Sequence, residues 1–236
     1  MKEFKKDAKG RVLDIEHFRT LFKNRMGSPD RVYEVNKEML DKHRGVLPDE
    51  LLWYWKEYGA SSFHDGLFWL TNPEEYSGLV EEYLKDTVYE GRHDLYVVAR
   101  SAFGELYLWE SKKGNTLTLD AFSNMIFFDA VADRENFQTK EEENYAMNRF
   151  IGGMKPKYLD KKDGSGKPLF ERALKKFGKV DPHEMYGYKL STFLGGKESI
   201  RNIGKMDLFN HFSIQKQLKD PIISISDTEN NTLTWG

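Results

Sequence analysis

The sequence predicts an α+β fold: an antiparallel meander packed with helices in the N-terminal part, and a mainly helical C-terminal part. Three observations predict it. Apolar residues recur at three- and four-residue spacing toward both ends of the chain, the mark of amphipathic helices. Between residues 95 and 128 this gives way to four short segments rich in β-formers, separated by turn residues. The 236 residues include 16 Phe, 12 Tyr and 5 Trp, enough ring area for a large core although 31% of residues are charged.

The elements follow in order. Ile15, Phe18, Leu21, Phe22 and Met26 share one helical face, and Gly27-Ser28-Pro29-Asp30 stops that helix. Val32, Val35, Met39 and Leu40 predict a short helix or loop. Leu47-Pro48-Asp49-Glu50 opens a helix over 51–58. Proline suits the first helical position, where its missing N–H has no partner, and the two acids favour the positive end of the helix dipole. Gly59 is expected as a left-handed cap, and the run Trp53-Tyr54-Trp55 demands burial on more than one face. Gly66–Leu70 reads as a buried strand. Asn72-Pro73-Glu74-Glu75 starts a helix whose core face is Tyr76, Leu79, Val80, Tyr83 and Leu84. Leu95–Ala99, Glu105–Trp109, Thr116–Leu119 and Met125–Phe128 form the meander, turning at Gly104 and at Lys113-Gly114-Asn115.

The polar stretch Asp133–Asn144 marks a boundary, giving domains of 1–134 and 135–236. Thr139 and Glu142 have capping-box spacing at the start of a helix that runs to about Phe150 and ends at Gly152-Gly153. A basic surface loop, Lys155–Lys167, leads to a helix over Pro168–Phe177. Tyr186–Leu190 reads as a strand, and Gly195-Gly196 precedes a helix through Ile200 and Ile203. Leu208–Leu218 is the last helix, and Ile222–Ile225 is a strand in the tail.

Charge and motifs bound the chemistry. The net charge of −2 hides an acidic middle, with −9 over 70–145 and +6 over 146–236. That distribution opposes direct nucleic-acid binding, which needs a coherent basic face. The absence of cysteine excludes disulfides, thiolate nucleophiles and zinc ribbons. No stretch reaches the roughly 20 apolar residues of a membrane span, and the first ten residues are charged, so the expected location is cytoplasmic.

Of the six histidines, His64 and His93 each precede an aspartate, Asp65 and Asp94. A metal-dependent hydrolase uses such pairs, but the further ligands are missing and ordinary turns are the expectation. Asp163-Gly164-Ser165-Gly166-Lys167 fails as a phosphate loop: Lys161 stands at the first glycine position and Pro168 at the Ser/Thr position. No Gly-x-Ser-x-Gly elbow occurs. The motif search therefore gives the enzyme reading no specific support, and the expectation is a protein that is not an enzyme, with no catalytic residue, cofactor or metal ligand.

Two blocks carry a family resemblance. Leu47–Leu52 through Tyr58-Gly59, Gly66–Tyr76 and Phe103–Trp109 resemble the GAD-like domain. Leu169–Leu174, Glu184–Tyr188 and Leu194-Gly195-Gly196 resemble the C-terminal domain of type VI secretion system immunity proteins. The resemblance spans residues 15–220 and implies an immunity protein that binds and neutralises a cognate effector toxin, a DNase. A SUKH-like interaction module without a toxin partner, and the hydrolase above, are the alternatives. A nuclease site is basic because it holds phosphates, so an acidic surface is the expected contact. Glu74, Glu75, Glu81 and Glu82 on one helix, and Glu141, Glu142 and Glu143 on another, are the candidate partner-binding residues.

Overall fold

The computed structural model describes residues 14–230 and 232–235, the last of them through its backbone. Helices and short strands come first: α1 (Ile15–Met26), α2 (Lys37–His43), α3 (Asp49–Tyr58), β1 (Ser62–Phe63) and β2 (Phe68–Leu70). A 3-10 turn, Pro73–Tyr76, leads into α4 (Ser77–Leu84). The meander is β3 (Leu95–Ser101), β4 (Glu105–Glu110), β5 (Gly114–Asp120) and β6 (Met125–Asp129). Then come α5 (Ala130–Arg134), α6 (Lys140–Gly153), α7 (Pro156–Leu159) and α8 (Phe170–Phe177). The chain closes with β7 (Glu184–Tyr188), β8 (Ile203–Asp207), α9 (Leu208–Leu218), β9 (Ile222–Asp227) and β10 (Thr232–Trp235).

Eight strands form one sheet in the order β1-β2-β3-β4-β5-β6-β9-β10. Every neighbouring pair is antiparallel except β6 and β9, which run parallel. β7 and β8 make a separate hairpin. The alternation of strand side chains assigns the two faces. Leu106, Leu108, Leu117, Leu119 and Ile126 point into a cluster with Tyr76, Leu79, Val80 and Tyr83 from the α4 region and Phe212 of α9. Val98 and Trp109 point the other way, into a cluster with Phe22, Leu51, Trp55, Met147 and Ile151 from α1, α3 and α6. The sheet is thus the middle layer of three.

Both clusters draw on chain from either side of residue 134. Met185, Leu208 and Phe212 join the first, and Met147, Ile151, Phe170 and Tyr186 join the second. Many of the joints are edge-to-face ring contacts, such as Tyr83 on Phe212 with centroids 5.0 Å apart.

Several local expectations change. Pro48 is the residue before α3 and not its first helical residue. Gly59 has the expected positive φ of 74°, but its ψ of −173° leaves the chain extended instead of left-handed helical. The capping box of Thr139 and Glu142 is present, yet α6 runs on through Gly152 and Gly153. Gly152 serves close packing: a Cβ there would lie 2.6 Å from the Phe18 carbonyl oxygen on α1. The helix expected through Ile200 and Ile203 is absent, and Ile203 instead opens β8 opposite Tyr188. Gly187 faces Gly204 in that ladder, and the His211 ring fills the space beside Gly187. Strand pairing plus this close approach overrides local helical spacing. The C-terminal part therefore supplies β7–β10 as well as its helices.

The two glycines of α6 give a paired test. Gly152→Ala should destabilise the protein by about 1–3 kcal/mol through overpacking against α1. Gly153→Ala, whose added methyl meets nothing within 4 Å, should be neutral or stabilising by up to about 1 kcal/mol through helix propensity. Urea denaturation of both variants reads the difference.

Candidate functional site

The seven glutamates fall on two layers. Glu74 and Glu75 lie in the 3-10 turn before α4 and Glu81 and Glu82 on α4, on one face of the sheet. Glu141, Glu142 and Glu143 form the first turn of α6, which packs on the opposite face. The fold does not bring the two sets into one layer.

Their partners differ too. Glu74 pairs with Lys42, and that hydrogen bond holds its carboxyl below its ordinary value. Glu75 reaches His183 at 3.2 Å, and Glu82 accepts from the Ser213 hydroxyl at 2.8 Å. Glu142 accepts the Gln138 and Thr139 N–H groups, and Glu143 accepts the Lys112 N–H at 3.2 Å. Glu142 and Glu143 thus have structural work at a helix start, whereas Glu81 and Glu82 stand exposed on α4.

The other sequence features resolve into structure. His64, Asp65 and Asp94 adopt positive φ in turns, and Asp65 pairs with Lys179 at 2.7 Å. Among the described residues no three His, Asp or Glu side chains are grouped to hold a metal ion, and no helix is long and apolar enough to cross a membrane. The glycine loop is closed by its own acid. The Asp163 carboxylate takes the Ser165 hydroxyl at 2.6 Å, the Ser165 and Lys167 N–H groups and an Arg172 guanidinium N–H. The donors that a phosphate would need are already satisfied, and they hold the Asp163 carboxyl well below the usual carboxylate range, Ser165 foremost.

One feature escaped the sequence. Leu190, Leu194, Ile214 and Leu218 are large apolar side chains left about half exposed. Ile214 and Leu218 are one helical turn apart on α9. The turn that carries Leu190 and Leu194 is fastened beside that helix by Ser191 on Gln215 at 3.2 Å and by Lys219, 5.8 Å from the Phe193 ring centre. Helical periodicity alone could not separate these positions from core positions.

Comparison with known proteins places these features in a family. The GAD-like domain model matches residues 17–123, and the T6SS immunity protein Tdi1, C-terminal model matches residues 144–219. The chain is a GAD-like domain joined to a T6SS immunity C-terminal domain. The C-terminal family points to an immunity role in place of catalysis. No curated protein matches. The crystal structure of Atu4351 from Agrobacterium tumefaciens superposes with a TM-score of 0.78, covering 91% of this chain and 95% of that one at 20% identity, which is a likeness of fold.

A buried ion cluster couples the GAD-like domain to the immunity C-terminal domain. Lys161, expected in a basic surface loop, is instead directed inward from the second domain. Its Nζ donates to Glu105 Oε1 at 2.6 Å and Asp120 Oδ2 at 2.9 Å. Burial alone would lower the ammonium's pKa, but Asp120 and Glu105 outweigh it and hold it above its ordinary value. Burial pushes the Glu105 carboxyl up, against the pull of Lys161.

Removing the cation leaves two buried carboxylates facing each other. Lys161→Met should cost about 3–5 kcal/mol at neutral pH. A carboxyl raised in the folded state binds protons more tightly there than in the unfolded chain, so lowering the pH toward that raised value should restore part of the loss. Urea melts of wild type and variant at pH 7 and pH 5 check both the size and the sign.

Proposed function

We propose that this protein binds and neutralises a cognate type VI secretion toxin, a DNase effector, in the cytosol of the cell that makes both. The observation that carries the reading is the order of two family domains, GAD-like then immunity C-terminal, over one continuous fold. The physical features fit a binder. The helices around the sheet present charged and apolar outer faces, while the glycine loop and the His64-Asp65 turn are occupied by internal contacts.

Three outer surfaces are proposed to share the work. The acidic α4 region, with Glu74, Glu75, Glu81 and Glu82, supplies long-range attraction to a basic nuclease cleft. Electrostatic complementarity of this kind acts mainly on encounter rate and specificity. The α6 set, Glu141, Glu142 and Glu143, is the second acidic contact. The exposed patch of Leu190, Leu194, Ile214 and Leu218 supplies desolvated area, which sets the lifetime of the complex.

Co-expression with the toxin encoded beside this chain should protect the cell and yield a co-purifying complex; no protection and no complex would remove the proposal. Within that complex, Glu81→Lys with Glu82→Lys should slow association about tenfold at low salt and flatten its salt dependence. Ile214→Asp with Leu218→Asp should instead speed dissociation with little effect on the salt slope. Stopped-flow or surface-based kinetics separates the two, and a charge-reversed variant that associates at the wild-type rate at low salt overturns the acidic contact.

A further inference from the structure

A cavity of about 250 Å³ lies beside β2 and β3, with Tyr33, Trp69, Tyr76, Arg100, His183 and Glu75 in its lining. Its notable member is Arg100 on β3, which is fully buried. The guanidinium lies 4.5 Å from the centre of the Trp69 ring. Nη1 donates to the Ser101 carbonyl at 3.2 Å, and Nη2 donates to the Asp181 and Pro182 carbonyls at 3.0 and 2.9 Å. The Nε–H has no acceptor. Burial holds Arg100 below the ordinary arginine value, with the Tyr76 phenol acting in the opposite direction.

A buried guanidinium is normally balanced by a carboxylate, because desolvating the charge costs several kcal/mol otherwise. Here the neighbouring acids are engaged elsewhere. Asp181 pairs with Arg31, Glu184 with Lys205 at 2.7 Å, and Glu75 with His183 at 3.2 Å. Among the described residues no carboxylate forms an ion pair with Arg100. The walls of the cavity are flat rings: Tyr33 stacks on Trp69 with centroids 6.3 Å apart and 29° between planes. A buried cation with an unused N–H, beneath an aromatic wall, is the donor set of a site for a planar anion.

We propose that this cavity binds a small organic carboxylate, its planar apolar body against the rings of Tyr33, Trp69 and Tyr76 and its charge directed at Arg100. Glu75 at the lining opposes that charge, and its pairing with His183 moderates the opposition. The site belongs to the GAD-like half and the Asp181-Pro182 segment of the immunity half together. It does not depend on toxin binding.

The test titrates the full chain with benzoate, and with benzamide as the uncharged isostere, by NMR or calorimetry. Benzoate should bind saturably, and benzamide at least about tenfold more weakly, since the guanidinium contact is charge-assisted. Glu75→Gln should tighten benzoate about threefold, the effect of removing one like charge several ångströms away in wet surroundings. Tyr33→Ala, at a half-exposed wall position, should weaken it. Arg100→Gln should abolish it; if that variant does not fold, the Glu75→Gln and Tyr33→Ala results decide. A purely structural Arg100 predicts equal affinity for benzoate and benzamide. Absence of saturable benzoate binding, equal affinity for benzamide, or a Glu75→Gln affinity no better than wild type overturns the proposal.

Discussion

From Met125 opposite Ile222 to Asp129 opposite Ser226, β9 lies beside β6 in parallel. Two parallel neighbours cannot be joined by a tight turn, so the chain between them must leave the sheet and come back. In this protein the excursion is nearly the whole immunity C-terminal domain. Asn124 fixes the point of return. Its side chain accepts from the Tyr83 hydroxyl and donates to the Lys219 carbonyl, and its own carbonyl receives the Ile222 N–H. Once β9 is registered there, α9 must lie against α4, and the segment around Lys161 is brought over the acids of β4 and β5. The ladder thus sets where both outer layers meet the sheet.

Much of this was legible in the residues. The periodic apolar faces of α1, α4 and α9 matched their helices because each buries one stripe against one layer. The meander was legible because its strands are short, β-rich and separated by turn residues, with Gly104 at φ +75° and Gly114 at φ +107°. What escaped was set by partners distant in sequence. Ile203 became a strand residue because Tyr188 pairs with it. Lys161 looked like part of a solvated basic loop until Glu105 and Asp120, about fifty residues away, came within hydrogen-bonding distance. The parallel return of β9 had no local signal at all, since Ile222–Ile225 reads the same in either direction.

The candidate contact surface was legible only in part. Sequence composition picked out seven glutamates, and the fold divides them between opposite layers. Glu142 completes the start of α6, a use visible in advance through the capping-box spacing, whereas Glu143 accepts the Lys112 N–H of the turn between β4 and β5, a partner distant in sequence. The apolar positions on α9 and the 189–196 turn could not be distinguished from core positions, because their exposure depends on which of the described elements pack against them. Arg100 was hidden for the complementary reason: an arginine in a strand reads as an outward polar residue until both faces of the sheet are covered.

The sharing of both hydrophobic layers has a consequence for how such proteins diversify. A module with its own closed interior can be exchanged between genes as a unit. Here the inner faces contributed by the two family domains are complementary surfaces of the same interior, with Met185 against Gly104 and Phe212 against Tyr83. A recombination event at the family boundary would join halves whose interiors no longer interlock. Substitutions on the outer faces of helices and turns leave that shared interior undisturbed, whereas changes at the seam do not.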